Sequence, residues 1–305
     1  MQRNIIVIGS ANTDLVIAAD RFPRPGETLL GHGFMTNHGG KGANQAVAAA
    51  RAGGSVAFVG RVGDDSFGHS TVLTLTREGI DVSGLLVSQG ASTGVALITT
   101  VPGGENTIVV DAGANGLLKP EDVEQSEQLF APSSIVLMQL ETPVNALVRA
   151  AEMAKAHGAM VVLNPAPAPV SPLPEALLKA VDLLIPNQTE AALIAGRPVS
   201  DTESASRAIE TLRNMGVKDA IITLGSKGSY AEVGSERLSV PALTVQAVDT
   251  TAAGDTFCGA LCAALSMGQA MADAMQFATK AAAVSVTRRG AQRSMPTLKE
   301  ICSTP

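Results

Sequence analysis

Asp255 sits in the stretch D-T-T-A-A-G-D-T-F-C-G, residues 249–259, which combines an acid with small residues where a helix begins. A β-type run from Leu243 to Val248 leads in, and a long segment of helical character follows. Small residues at a helix start let a ligand approach backbone N–H groups that have no partner, and the helix dipole favours a negative group there. The amides of Ala252, Ala253 and Gly254 would form such an anion hole, with Asp255 placed to accept a proton beside it. An anion hole and a carboxylate base are the minimal equipment for phosphoryl transfer to an alcohol. The competing reading is an N-terminal Asp followed by ordinary Gly/Ala helix packing.

A second segment narrows the choice. H-G-G-K-G-A-N at residues 38–44 opens another, Ala-rich helix. Gly40 and its neighbours remove the Cβ barrier to a small polar ligand, and Asn44 can donate and accept at once, as recognition of a sugar hydroxyl requires. Lys41 alone would read as a solvated lysine. The spacing is neither G-x-x-x-x-G-K-S/T nor G-x-G-x-x-G, so neither a Walker phosphate loop nor a nicotinamide site is supported. Asn12 and Asp14 follow the first apolar run with one residue between them, so on a continuing strand both face one way and can grip vicinal hydroxyls. An Asx turn would use the same residues. Glu141 ends M-Q-L-E and can be read as a polar contact or as a first-turn acid. Asn187 and Glu190, in N-Q-T-E, have capping-box spacing. Thr223, Gly225, Ser226 and Gly228, in T-L-G-S-K-G, mark a strand end open to backbone approach, a common pattern by itself.

The elements that must position these groups alternate. Apolar runs at 5–8, 56–59, 135–138, 160–163, 183–185 and 220–224 predict strands. Amphipathic or apolar helices are predicted near 42–53, 66–78, 144–157, 188–195, 201–215, 252–267 and 269–286. Strands apolar on both faces, each followed by a helix, predict an α/β fold: a three-layer parallel sheet flanked by helices. Two segments break the rhythm. Residues 12–37 and 93–112 read as strand–turn–strand pairs, the second turning at 102–105, and predict a small β-sheet beside the main body. The proline-rich piece 165–174 reads as a loop at a strand's carboxyl end, where open α/β sheets bind ligands. One domain over residues 1–305 is expected.

Composition excludes several classes. With 46% hydrophobic and 16% charged residues, the chain can bury a large core. It lacks Trp and has one Tyr, so a base-stacking nucleic-acid surface is not expected. A net charge of −6 offers no general attraction to nucleic acid or anionic membranes. The three cysteines include Cys258 and Cys262, four apart on an apolar helix, which reads as buried thiols. The four histidines have no metal-ligand spacing. No apolar run is long enough to span a membrane and no signal peptide is evident, so a cytoplasmic protein is expected.

Together the segments at 38–44 and 249–259 resemble the two signature regions of the ribokinase-type (PfkB) carbohydrate kinases. The likeness continues through V-I-G-S-A-N-T-D (7–14), P-G-E-T (25–28), G-R-V-G-D-D (60–65), M-Q-L-E (138–141), L-N-P-A-P-A (163–168), P-N-Q-T-E (186–190), T-L-G-S-K-G (223–228) and T-R-R-G-A-Q (287–292). The resemblance implies an ATP-dependent kinase acting on the 5-hydroxyl of D-ribose, with Asp255 as base and Ala252–Gly254 as anion hole. Asn12, Asp14, Gly40, Lys41, Asn44 and Glu141 would bind the sugar. Asn187, Thr223, Gly225, Ser226, Gly228, Gly254 and position 279 would meet ATP, and Glu190 would hold Mg²⁺ through water. Asp249, Thr251, Ser285, Arg288, Gly290 and Ser294 match a monovalent-cation site, for K⁺ or a similar ion. The small sheet would be a lid that pairs two subunits into a homodimer. One departure stands out: Thr279 occupies a position where bacterial ribokinases have a histidine beside adenine, so adenine contacts there are in doubt. A kinase of deoxyribose, another sugar or a nucleoside is the nearest alternative, and a non-catalytic sugar-binding or regulatory protein the next.

Overall fold

The computed structural model describes residues 4–103 and 105–304. Its larger sheet contains strands β1 (Asn4–Ile8), β4 (Ser55–Gly63), β5 (Asp81–Ser88), β8 (Ile135–Met138), β9 (Met160–Leu163), β10 (Leu183–Leu184), β11 (Asp219–Thr223), β12 (Ser229–Val233) and β13 (Glu236–Val240). The strand order is β13-β12-β11-β10-β9-β8-β1-β4-β5. Helices α1 (Lys41–Arg51), α2 (Ser66–Arg77), α3 (Pro120–Glu124), α4 (Val144–Ala156), α5 (Glu175–Ala180), α6 (Gln188–Ala195), α7 (Thr202–Asn214), α8 (Ala253–Ser266), α9 (Met271–Ser285) and α10 (Leu298–Ser303) complete it.

The central strands explain the two covering layers. Ile5 and Val7 pack with α1, α8 and α9 in one apolar core, whereas Ile6 and Ile8 join α4, α5 and α7 in the other. Side chains alternate across a strand, so a continuously apolar run is what a sheet buried on both faces requires.

Three differences from the sequence reading are structural findings. The sheet is mixed rather than wholly parallel, because β12 pairs antiparallel with both β11 and β13. β5 adds a parallel edge strand that the apolar-run criterion misses, since its exposed and buried residues are interspersed. The run 243–248 is not a strand. It follows Pro241 beyond the edge strand β13, and its backbone instead ties to the end of α9 region through Val248 N and Asp249 N to Val286 O at 2.7 and 3.1 Å.

The smaller sheet contains β2 (Asn12–Ala18), β3 (His32–Gly39), β6 (Gly94–Thr100) and β7 (Asn106–Asp111), in the order β3-β2-β6-β7. β2 and β6 run parallel while the outer pairs are antiparallel. Val101 N donates to Glu105 O at 3.0 Å across the predicted turn, in which Gly104 lies outside the described residues. In register, Asn12 faces Gly39 on one side and Gly94 on the other. The small sheet is thus rooted where β1 leaves the main sheet, beside the start of α1. The proline-rich piece is a loop between β9 and α5, as expected.

Candidate active site

The start of α8 has an unusual backbone. Ala252, its N-cap, adopts φ 58 and ψ 18, a left-handed conformation that costs an L-residue about 1–2 kcal/mol. Ala253 N donates to Thr250 O at 3.2 Å, closing a turn, so its amide is engaged. The amides of Ala252, Gly254 and Asp255 make no hydrogen bond to a described residue. Gly254 borders open space, since a Cβ there would meet nothing within 4 Å. These amides and the Asp255 carboxylate therefore share the wall of one cleft of about 180 Å³ with Lys41, Asn187, Glu190 and Thr223.

Asp255 is buried, with both oxygens held. Oδ2 accepts from Asn44 Nδ2 and Oδ1 from Gln45 Nε2, each at 3.0 Å. Burial pushes its carboxyl pKa up; Lys41 and the two amides pull the other way, and Glu141 adds to the rise. For Lys41, burial favours the neutral amine, but Asp255, Glu141 and Glu190 outweigh it and hold the ammonium above its ordinary pKa. The site thus holds a cation beside a carboxylate that carries more proton affinity than a surface Asp.

The sequence-predicted sugar residues converge around the base of the small sheet. Gly40, at φ 86, is forced by space as well as by backbone: a Cβ would lie 2.7 Å from Asn12 N. Gly39 backs directly onto the Asp14 carboxylate in the same way. Asp14 accepts no hydrogen bond from a described residue. Burial, then Glu141 and Asp255, push its pKa up to about 7. Asn44 Oδ1 is likewise buried without a partner. A carboxylate and an amide oxygen left open in this way suit hydroxyl donors. Asn12 Oδ1 is already occupied by Asn115 Nδ2 at 2.7 Å, which leaves its N–H₂ as donor. Thr13, between them, is fully packed away. Glu141 performs a bracing task, its Oε2 accepting from Ser10 Oγ at 2.5 Å and Lys41 N at 2.9 Å.

On the opposite side of the cleft, Asn187 caps α6 in a reciprocal box. Glu190 N donates to Asn187 Oδ1 at 2.9 Å, while Asn187 N and Nδ2 donate to the Glu190 carboxylate, both at 2.8 Å. Burial raises the Glu190 pKa against the pull of those bonds and Lys41. Gly225 and Ser226 open a short 3-10 turn, Gly225–Lys227, after β11, and Gly228 at φ 97 ends it. Thr279 Oγ1 donates to Met275 O at 2.8 Å inside α9, so its hydroxyl hydrogen is spent within the helix. The two basic and acidic turns assigned to a cation do meet: Asp249 accepts from Thr251 N at 2.9 Å and Gly290 N at 2.8 Å. Ser285 and Ser294 are buried alongside, with their hydroxyls donating to Ala282 O and Ala291 O. Arg288 turns away to Glu300 at 2.6 Å.

Residues 2–298 match the pfkB family carbohydrate kinase domain. The chain belongs to the PfkB family of carbohydrate kinases. It is 43% identical over 300 residues to a ribokinase of Haemophilus influenzae, covering 98% of this chain and 97% of that protein. It is also 36% identical over 297 residues to a deoxyribokinase of Salmonella typhi, covering 97% of each. A solved Arabidopsis thaliana ribokinase in complex with ribose and ATP superposes with a TM-score of 0.92 at 33% identity, covering 100% of this chain and 99% of that one. The ribokinase-like α/β fold, with its separate four-stranded sheet, is therefore established for this chain.

Within this PfkB kinase, several functional neighbours escaped sequence reading. Gln45, Gln139 and Asn164 line up behind Asp255, and Asn115 holds Asn12. Gln45 directly follows the motif at 38–44, and Gln139 and Asn164 stand inside those at 138–141 and 163–168, but as neutral amides they carry no signal of their own role. Asn115 lies in a 3-10 segment, Gly113–Leu117, that no periodicity marks.

Proposed function

We propose that this protein is an ATP-dependent ribokinase, transferring the terminal phosphoryl group of ATP to the 5-hydroxyl of D-ribose to give D-ribose 5-phosphate and ADP. The observation that carries this reading is the pairing of the Asp255 carboxylate with unengaged amides at the start of α8. Asp255 takes the hydroxyl proton as the new P–O bond forms, so the alcohol is never a free alkoxide. The amides of Ala252, Gly254 and Asp255 meet the charge on the transferring group, and Lys41 adds a positive charge to the same wall. Asp14 accepts from sugar hydroxyls while Asn12 donates, which fixes the reacting hydroxyl near Asp255. Asn187, Thr223 and the turn at Gly225, Ser226 and Gly228 are assigned to the nucleotide.

Mg²⁺ bound with ATP supplies charge neutralisation of the phosphates. Both Glu190 oxygens already accept bonds from Asn187, so this carboxylate suits contact with Mg²⁺ through water better than direct ligation. Hard oxygen donors around Asp249, Thr251, Ser285, Gly290 and Ser294 fit a monovalent cation, and the Asp249 bonds make the two turns one unit. Arg288 would contribute only its backbone.

The small sheet serves as a lid over the sugar. Phe34 is 64% and Val109 67% exposed on it, with Leu97, Ile108 and Val110 also exposed. An apolar surface of this kind on a thin sheet favours pairing with a second copy, making the working unit a homodimer. No helix among the described residues is long and apolar enough to cross a membrane. A cytoplasmic location accords with ATP as co-substrate. Turnover of ATP with ribose, 2-deoxyribose and nucleosides tests the assignment: ribose should give the highest kcat/KM. A preference for deoxyribose or a nucleoside would move the protein to another substrate class within the family.

A further inference from the structure

Three neutral amide side chains form a buried line behind the base. Gln139 Nε2, beyond the end of β8, donates to Gln45 Oε1 on α1 at 2.6 Å. Gln45 Nε2 then donates to Asp255 Oδ1 and to Asn164 Oδ1, both at 3.0 Å. Asn164 Nδ2 donates to Ile185 O at 2.7 Å. Gln45 and Gln139 are wholly buried and Asn164 nearly so. An apolar trio of the same size would pack here without the cost of burying amides, so their polarity calls for a reason.

The direction of every amide is fixed by its ends. An ionised Asp255 only accepts, so Gln45 must present its N–H₂ to it. Gln45 Oε1 then faces Gln139, which must donate. Ile185 O also only accepts, so Asn164 turns its N–H₂ there and its oxygen to Gln45. Rotating any one amide by half a turn sets two acceptors or two donors face to face. Gln139 cannot back away, because it lies against Gly9: a Cβ on Gly9 would come within 2.0 Å of Gln139 Oε1. Gln139 Oε1 itself has no partner, so that end of the line is kept at a cost.

We propose that Gln45 is a positioning residue for Asp255, locked in one amide orientation by Gln139 and Asn164 so that the carboxylate keeps a fixed rotation toward the substrate hydroxyl. This rests on Asp255 being the proton acceptor. Without Gln45, Asp255 retains only the Asn44 bond on Oδ2, and its plane is free to turn about that contact. Gln45 also favours the ionised form. The other groups that bear on Asp255 are Lys41 on α1, Glu141 after β8, Asp14 on β2, Glu190 on α6 and the Cys258 thiol on α8 itself. They remain in place when Gln45 is changed.

The test compares wild type, Gln45→Met, Gln139→Met and Asp255→Asn in full-length protein. Each is followed by kcat against pH, by calorimetry of ribose and of a non-hydrolysable ATP analogue, and by thermal unfolding. Gln45→Met preserves length without the amide. Its kcat should fall about 10- to 100-fold, as expected for losing a hydrogen bond to a charged group in the transition state. Ribose and nucleotide affinity should stay near wild type, and the acid limb of the kcat profile should move to higher pH. Gln139→Met, which does not touch Asp255, should move kcat and the acid limb the same way by less. Unchanged kcat and an unmoved acid limb in folded Gln45→Met would overturn the proposal, as would a kcat loss without a shifted limb. Should Gln45→Met fail to fold, Gln139→Met decides by the same criteria. Near-normal turnover by Asp255→Asn would instead refute the base assignment. An inactive Asp255→Asn beside a wild-type-like Gln45→Met would refute the positioning role alone.

Discussion

Asp14 should weaken the unliganded protein at neutral and alkaline pH, and Asp14→Asn should make it more stable while destroying sugar binding. Burial beside Glu141 and Asp255 lifts the Asp14 pKa from 3.8 to about 7. An acid whose folded pKa is raised is more protonated in the native chain than in the unfolded one between those two values. Stability is therefore lost as pH rises through that window, and the full penalty persists above about pH 7. The gap is roughly 3 pH units, which at about 1.36 kcal/mol per unit sets a ceiling near 4 kcal/mol. Partial hydration of the carboxylate and relaxation of its neighbours reduce this to about 1–2 kcal/mol. Unfolding entropy of about 2.1 cal/mol/K per residue over 305 residues converts that into about 2–3 °C of Tm. The assay is thermal unfolding of wild type and Asp14→Asn without ligands, from about pH 5 to about pH 8. The Tm advantage of the variant should be small at the acid end and full at the alkaline end, with ribose binding absent by calorimetry. A difference independent of pH, or a less stable variant at about pH 8, would show that Asp14 is not a strained carboxylate held for substrate.

Two other perturbations separate folding from chemistry. Gly254→Ala puts a methyl into open space at the start of α8, so Tm should hold or rise, since Ala is favoured over Gly in a helix by about 0.8–1 kcal/mol. If Gly254 belongs to the proposed anion hole, its kcat should nevertheless fall by about 10-fold or more, because the methyl would stand where the phosphoryl group is to approach; unchanged kcat would remove Gly254 from the anion hole. Replacing Na⁺ by K⁺ should raise kcat more than it changes ribose affinity, because the ion would act on the Asp249–Thr251 turn rather than on the sugar. Equal rates in the two salts would argue against a cation at that turn.

Much of the fold is legible in the sequence because burial on both faces leaves a plain mark. The runs Ile5–Ile8, Ile135–Met138 and Met160–Leu163 are strands whose every residue avoids water or nearly so. β5 and β13 carry mixed faces, and β12 buries the polar Ser229 and Glu232 among its apolar residues, so their pattern is weaker. Leu243–Val248 has β-type residues but forms no strand, and Val248 and Asp249 bond to Val286 O instead, a pairing decided by tertiary structure alone. Charged site residues announce themselves through Gly-rich surroundings, as at Gly40, Lys41 and Gly254, Asp255. Gln45, Gln139, Asn164 and Asn115 act only through partners about a hundred residues away or more in most of their bonds, and sequence spacing does not reveal such pairings. Glu141 also braces Ser10 and Lys41 through one carboxylate oxygen, which a single acidic letter cannot convey.

The central claim is that Asp255 drives phosphoryl transfer from ATP to the primary hydroxyl of ribose. Its most direct test is phosphorus NMR of the products made by wild type and Asp255→Asn from ribose, ATP and Mg²⁺, alongside calorimetry showing that both proteins bind ribose. Wild type should yield ADP and ribose phosphorylated at the 5-hydroxyl in equal amounts. Asp255→Asn should bind the sugar yet turn over about 10²–10⁴-fold more slowly. Phosphorylation at another hydroxyl, or undiminished ribose 5-phosphate formation by Asp255→Asn, would contradict the account.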